Sequence, residues 1–262
     1  MVRIAVLGAG NIGGALAKGI ILKKIIKPEN LTLTAKHTES LNRYGNLGCN
    51  LTLSNTDAVK DADIVFIAVK PWSVIPVLEE IKPVLDCSRQ TIACLAAGLD
   101  SDKVIPSLQK EDGSVPGFLF AIPNTAIEIG ESVTFLAPVT TDKAQLETVS
   151  QIFDKLGRAV VIPESRLQAG TALASCGIAF AMRYARAAVL GGVELGFEAD
   201  EALEIVEQTV IGAMSLMQAH SSHPETEINK VTTPGGITLK GLNAMEKAGF
   251  TTAVIKGLKA SK

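Results

Sequence analysis

Aromatic side chains are scarce in this 262-residue chain: they make up 4% of it, with a single tryptophan. A core must therefore come from aliphatic and small residues, and a hydrophobic content of 47% supplies them. Histidine is rarer still. His37, His220 and His223 form neither an HExxH pattern nor a cluster with cysteine, so no metal site is expected. Cys49, Cys87, Cys94 and Cys176 contain no CxxC pair; they read as free thiols in a reducing cytoplasm. Basic charge is not in excess. A formal net charge of -2 argues against a nucleic-acid partner held through phosphates. The serine-nucleophile elbow GxSxG and the P-loop are both missing. Internal repeats and low-complexity tracts are missing as well. The longest nearly apolar stretch, Ala169 to Met182, is shorter than the ~20 residues that a bilayer requires, so no membrane association is expected. The chain enters Ile4-Ala5-Val6-Leu7-Gly8 almost at once, which leaves no room for a signal peptide.

What is present falls into two halves. Up to residue 163, short apolar runs alternate with amphipathic stretches. The strand candidates are Arg3–Leu7, Leu31–Ala35, Ile64–Val69, Thr91–Ala96, Phe118–Ile122, Val133–Leu136 and Ala159–Ile162. Helices are expected between them, among others at Ile12–Lys24, Ser73–Leu85 and Lys143–Leu156. This alternation implies an α/β fold, a doubly wound sheet of Rossmann type with right-handed crossovers. Residues 1–163 are thus expected to form one domain.

From residue 164 to 262 the strand signals stop, and an all-helical domain is expected. Leu167–Leu195, Ala199–Ala219 and Lys240–Leu258 read as helices, with Asp200 capping or opening the second. The first carries Ala169, Gly170, Ala172, Ala174, Ser175, Gly177, Ala179 and Ala181. Such small residues let backbones approach closely on more than one side. A second subunit is the natural source of that surface; the alternative is a monomer whose helices pack on the sheet.

Gly8-Ala9-Gly10-Asn11-Ile12-Gly13 is a GxGxxG pattern that follows a strand and opens a helix, the context that makes it a dinucleotide signature. The first glycine allows a tight turn, the second admits a pyrophosphate, and the third lets helix and strand pack closely. The second strand runs Leu31-Thr32-Leu33-Thr34-Ala35-Lys36-His37, with no acid before Glu39. NAD sites place an acid there. Thr34 and Lys36 are candidates for a 2′-phosphate, so NADPH is favoured, with NADH as the alternative. Ala68-Val69-Lys70-Pro71 and Leu95-Ala96-Ala97-Gly98 lie at carboxyl ends of later strands, where open α/β sheets bind ligands.

Together with Pro123-Asn124-Thr125 and Val231-Thr232-Thr233-Pro234-Gly235-Gly236-Ile237-Thr238, these segments resemble the pyrroline-5-carboxylate reductase family across nearly the whole chain. The last segment is the most specific, because it lies outside the generic cofactor fold. The resemblance implies a Rossmann domain, a helical dimerisation domain, and NAD(P)H-linked reduction of 1-pyrroline-5-carboxylate to L-proline. It implies a homodimer, with further assembly to decamers. Its cofactor contacts map onto Gly8–Gly13, Thr34, Asn55, Ala68–Pro71 and Leu95–Ala97. Its substrate contacts map onto Glu164, Thr233, Gly235, Gly236, Ile237 and Thr238. The chain departs from the family at Phe120, where a basic residue is usual, at Ala126 in place of proline, and across Ala174–Ala179.

Such a substrate needs an anion site for its carboxylate and a hydride donor facing the imine carbon. Pro234-Gly235-Gly236 can supply the anion site, since glycines let successive amides turn into one concavity ahead of a helix. Thr238 is placed to hydrogen bond the ring nitrogen, positioning more than donating a proton. The main catalytic contribution would be proximity. A reductase of another imine or β-hydroxy acid, or a dinucleotide sensor without turnover, are the competing readings.

Overall fold

The computed structural model of the chain describes residues 2–262. They form two compact units, one ending at Ser175 and the other comprising Cys176–Lys262.

The first unit is built on eight strands: β1 (Ile4–Leu7), β2 (Leu31–Thr34), β3 (Asn50–Thr52), β4 (Ile64–Ile67), β5 (Thr91–Cys94), β6 (Gly117–Ile122), β7 (Ser132–Pro138) and β8 (Gly157–Val161). They lie in the order β3-β2-β1-β4-β5-β6-β7-β8. All neighbours are parallel except β6 and β7, which run antiparallel. Strands β1, β4 and β6 are apolar throughout because both faces are covered and successive side chains point to opposite faces. Ile4 and Val6 join Leu16, Ile20 and Phe153 in one buried layer, whereas Ala5 and Leu7 join Val74, Leu78 and Leu108 in the other. Phe66 meets Phe153 edge-on at 5.6 Å. Such a pair adds ~0.5–1.5 kcal/mol beyond its buried area. Phe120, one of the departures from the family, is fully buried and edge-on to Phe118 at 5.1 Å.

The helices of this unit are α1 (Asn11–Leu22), α2 (Thr38–Asn42), α3 (Asn55–Lys60), α4 (Pro71–Ile81), α5 (Ser101–Leu108), α6 (Lys143–Lys155) and α7 (Leu167–Gly170). Two features differ from the expected pattern. Strand β3 is polar and partly exposed, because an edge strand has one neighbour and needs no continuous apolar run. Strand β7 reverses direction because the segment from Pro123 to Glu131, ending around Gly130 with φ 77°, turns the chain back. An antiparallel neighbour needs only a turn, not a crossover helix.

The expected helix at Leu167–Leu195 is not one α-helix. A π-helical turn, Thr171–Cys176, separates α7 from α8 (Gly177–Glu194). There the Ser175 hydroxyl donates to the Pro123 carbonyl at 2.9 Å. The helical run Glu164–Glu194 spans 31 residues and contains an 18-residue window with a mean hydropathy of 1.3, so by length and composition it is long enough to cross a bilayer. The shorter reading, Ala169 to Met182, stopped at Arg183, but the helix continues past that charge.

The second unit continues with α9 (Ala199–His220), α10 (Pro224–Lys230), α11 (Ile237–Lys247) and α12 (Phe250–Ala260). Asp200 lies in the first turn of α9 and makes no side-chain cap bond; Glu198 is the capping position. The expected helix Lys240–Leu258 is two helices. Gly249, at φ 87°, adopts the left-handed conformation that ends α11 and donates its amide to Glu246 at 2.8 Å. Helices α8 and α9 touch closely: a Cβ on Gly192 would lie 3.0 Å from that of Ala202. Ala202 is the only fully buried residue of this unit. Phe180, Met182, Leu190, Ile211, Met214 and Leu216 are all exposed.

Candidate functional site

The carboxyl end of β1 runs into the glycine turn. Gly8 sits at φ 110°, a conformation that L side chains rarely adopt, and its neighbours tie the turn to β2: Gly8 and Ala9 donate their amides to the Thr34 carbonyl at 3.2 and 2.7 Å. A Cβ on Gly8 would press on the Ala68 carbonyl oxygen at 2.9 Å. A Cβ on Gly10 would meet nothing within 4 Å. The three glycines thus do different things: two serve close packing, and the middle one faces open space.

Gly10 is also the N-cap of α1, and it supplies no side-chain cap. The first amides of a helix lack partners within it, and the dipole favours an anion there. No acidic residue stands in the first turn to compete. An open glycine backbone beneath uncapped amides fits a dinucleotide pyrophosphate.

The other strand ends converge on this turn. The Ala68 amide donates to Leu7 at 2.8 Å, and the Leu95 amide to Ile67 at 2.9 Å. Lys70 caps α4, and Pro71 opens it at a position where its missing N–H costs nothing. Trp72 follows, 77% exposed. Leu95 and Ala96 are buried, while Ala97 is exposed. Thr34 is buried; its hydroxyl donates to the Asn55 side chain at 2.7 Å, and Asn55 in turn donates to Glu80 at 3.0 Å. Lys36 is exposed.

Two residues missed in the sequence complete this corner. Arg43 donates to the Ala9 carbonyl at 2.6 Å and lies 4.9 Å over the Tyr44 ring. Tyr44 fills the slot that Gly14 leaves: a Cβ on Gly14 would come within 1.8 Å of the phenol oxygen. The signal was Gly14 itself, a second glycine after Gly13 that the dinucleotide pattern does not require.

Glu164 is half-buried in the first unit and accepts a bond from the Ser101 amide, at the start of α5, at 2.7 Å. Thr233, Gly235, Gly236, Ile237 and Thr238 lie in the second unit, at the start of α11. Gly235 has φ 71°, and Gly236 donates to the Thr233 carbonyl at 2.9 Å. That bond takes one of the expected anion-binding amides. The helix leaves those of Ile237, Thr238 and Leu239 without intrahelical partners. Thr238 is exposed in the first turn. His220 ends α9 and His223 caps α10, so both are helix-end residues.

A mostly parallel sheet whose first strand passes through an open glycine turn into an uncapped helix defines a dinucleotide-binding protein of the Rossmann class. Residues 3–94 match the family model of the F420-dependent NADP oxidoreductases, and residues 164–262 match that of pyrroline-5-carboxylate reductase dimerisation. The chain is 39% identical to pyrroline-5-carboxylate reductase 1 of Dictyostelium discoideum, over 98% of its own length and 48% of that relative's, so it spans about half of that protein. It is 31% identical to the pyrroline-5-carboxylate reductase of Methanosarcina acetivorans, over 99% of this chain and 97% of the other. The structure of Plasmodium falciparum pyrroline carboxylate reductase with NADP bound superposes with a TM-score of 0.88 at 26% identity, covering 99% of this chain and 95% of that one. The chain belongs to the pyrroline-5-carboxylate reductase family.

Proposed function

We propose that this protein reduces 1-pyrroline-5-carboxylate to L-proline with NAD(P)H, NADPH being the preferred cofactor. The observation that carries this reading is the anion-ready start of α1, open at Gly10, in a chain whose C-terminal residues match the family's dimerisation region. When bound, the nicotinamide cofactor supplies the hydride.

The chain's own residues bind and orient. Gly8, Ala9, Gly10, Asn11, Ile12 and Gly13 cradle the pyrophosphate with backbone amides. Thr34, Lys36 and Asn55 stand on the adenosine side, with Ala68–Pro71 and Leu95–Ala97 along the strand ends. The amides at the start of α11 hold the substrate carboxylate, and the Thr238 hydroxyl orients the ring nitrogen. Thr233, Gly235, Gly236 and Ile237 shape that turn, and Glu164 steadies the entrance to the helical region. No side chain has to act as a strong acid, because an iminium accepts hydride without further protonation.

Residues 1–163 serve as the dinucleotide-binding domain and 164–262 as the dimerisation and substrate domain. The protein acts as a homodimer that can assemble further to a decamer. A helical unit with one buried side chain and many exposed aliphatics supports a partner surface, since apolar patches of that extent are uncommon on monomers. The same demand accounts for the apolar run at Glu164–Glu194 without a membrane. Four free cysteines support a cytoplasmic location. The reading is tested by following cofactor oxidation with pyrroline-5-carboxylate against a panel of other cyclic imines, using NADPH and NADH in turn. Preference for another imine would replace the substrate assignment.

A further inference from the structure

Rossmann sites choose between the two nicotinamide cofactors beside the end of β2: an acid there bonds the ribose 2′-hydroxyl, whereas a nearby arginine accommodates a 2′-phosphate. In this chain the acid is missing, and the two residues that the sequence offers in its place are poorly placed. The Thr34 hydroxyl is buried and directed at Asn55, and Lys36, exposed as Arg43 is, makes no hydrogen bond or ion pair among the described residues that fixes its direction. We propose that Arg43 is the residue that reads the 2′-phosphate and so selects NADPH over NADH, an inference that rests on the dinucleotide reading above.

The geometry brings three groups to one corner. The Arg43 guanidinium is 2.6 Å from the Ala9 carbonyl, and the Ala9 amide is 2.7 Å from the Thr34 carbonyl at the end of β2. The arginine therefore stands where the glycine turn meets the strand that carries the ribose determinants. Its direction is fixed from two sides, by the Ala9 bond and by the Tyr44 ring beneath it, which is itself seated in the slot at Gly14. One nitrogen serves Ala9; the rest of the planar fork remains for a phosphate, which it can engage in bidentate fashion.

Charge agrees with this. Arg43 lines a cavity of about 290 Å³ with Asn11, Lys18, Tyr44, Thr125 and Glu128. Lys18 is neutralised there by Glu128 at 2.7 Å. Arg43 has no carboxylate partner among the described residues. Of the two cations that line this cavity, Lys18 and Arg43, it is the one without a carboxylate. A role confined to bracing the glycine turn would use the Ala9 bond alone and would be indifferent to the 2′ substituent.

The test compares binding of adenosine 2′,5′-bisphosphate and 5′-AMP by calorimetry in the full chain and in Arg43→Met, with no substrate present. The wild type is expected to bind the bisphosphate more tightly. Arg43→Met should weaken the bisphosphate roughly 10- to 100-fold, the range for a charged hydrogen-bonded contact, and bring the ratio of the two close to one. In turnover, the NADPH-to-NADH ratio of kcat/KM should fall by a similar factor. Equal loss for both nucleotides would mean that Arg43 only braces the turn, and that overturns the proposal. An unchanged preference, or a wild type with none, also overturns it. Should Arg43→Met fail to fold, Arg43→Lys keeps a cation without the fork; it should lose part of the preference, and full retention would overturn the assignment. Because no substrate enters the binding measurement, a chain inactive on pyrroline-5-carboxylate would still answer the question.

Discussion

A Cβ on Gly13 would stand 2.0 Å from the carbonyl oxygen of Gly8, so the helix and the turn of the cofactor site touch with no room for a side chain. Gly10, three residues earlier, has open space instead. The same motif therefore holds a packing glycine and a binding glycine, and they should fail differently. Gly13→Ala is expected to destabilise the fold by at least ~1–3 kcal/mol, the cost of forcing atoms into a filled site. Gly10→Val should cost only about 1 kcal/mol, through the poorer N-cap of α1, and lose cofactor binding. Thermal unfolding paired with quenching of Trp72, the one tryptophan, by NADPH separates the two effects. Equal stability losses in both variants would contradict the division.

Thr238 is exposed in the first turn of α11 and free to meet a ligand. Thr238→Ala should lower kcat about five- to tenfold, the worth of one hydrogen bond near 1 kcal/mol, with the Kd for NADPH nearly unchanged. Steady-state kinetics with a separate cofactor titration checks this. Parallel loss of both would move Thr238 out of the substrate role.

Gln90 is fully buried and saturated: it donates to the Val59 and Ala62 carbonyls at 2.6 and 2.7 Å and accepts from the Asp86 amide at 2.8 Å. Gln90→Leu removes three hydrogen bonds; the Val59 carbonyl keeps the Ala62 amide and the Ala62 carbonyl keeps Arg89, but the Asp86 amide loses its partner. A destabilisation of ~1–3 kcal/mol or more is expected in urea unfolding. A change near zero would mean that water reaches this position.

Burial pushes the Cys94 thiol up to about 12 from its ordinary 9.0. The raised value means that the neutral thiol persists at pH 8, and the reactive thiolate is withheld. Cys94 should resist thiol reagents in the native protein at that pH and react once the chain is unfolded. Peptide mapping after labelling decides it; rapid native labelling of Cys94 would show that the layer beneath β5 opens.

The inner strands were legible because burial on both faces writes an unbroken apolar run, as in Ile4-Ala5-Val6-Leu7. Strand β3 was not, since Asn50-Leu51-Thr52 at the edge carries no such run. The reversal of β7 was not legible either, because periodicity reports which face is buried and not which way the neighbour runs. In the site, the glycine turn was readable from spacing, whereas Arg43 was not. Its relation to Ala9 spans 34 positions and exists only once α2 has folded back across the turn. The split of the last helix was written in Gly249, but a lone glycine also occurs inside helices, and only its positive φ settles the matter.

The central claim is reductive chemistry on one cyclic imine, and the most direct measurement is the stoichiometry of the reaction. Purified protein, NADPH and pyrroline-5-carboxylate should yield one L-proline for each NADPH oxidised, with no turnover when either reactant is left out. Tight NADPH binding without proline formation at any enzyme concentration would contradict the account.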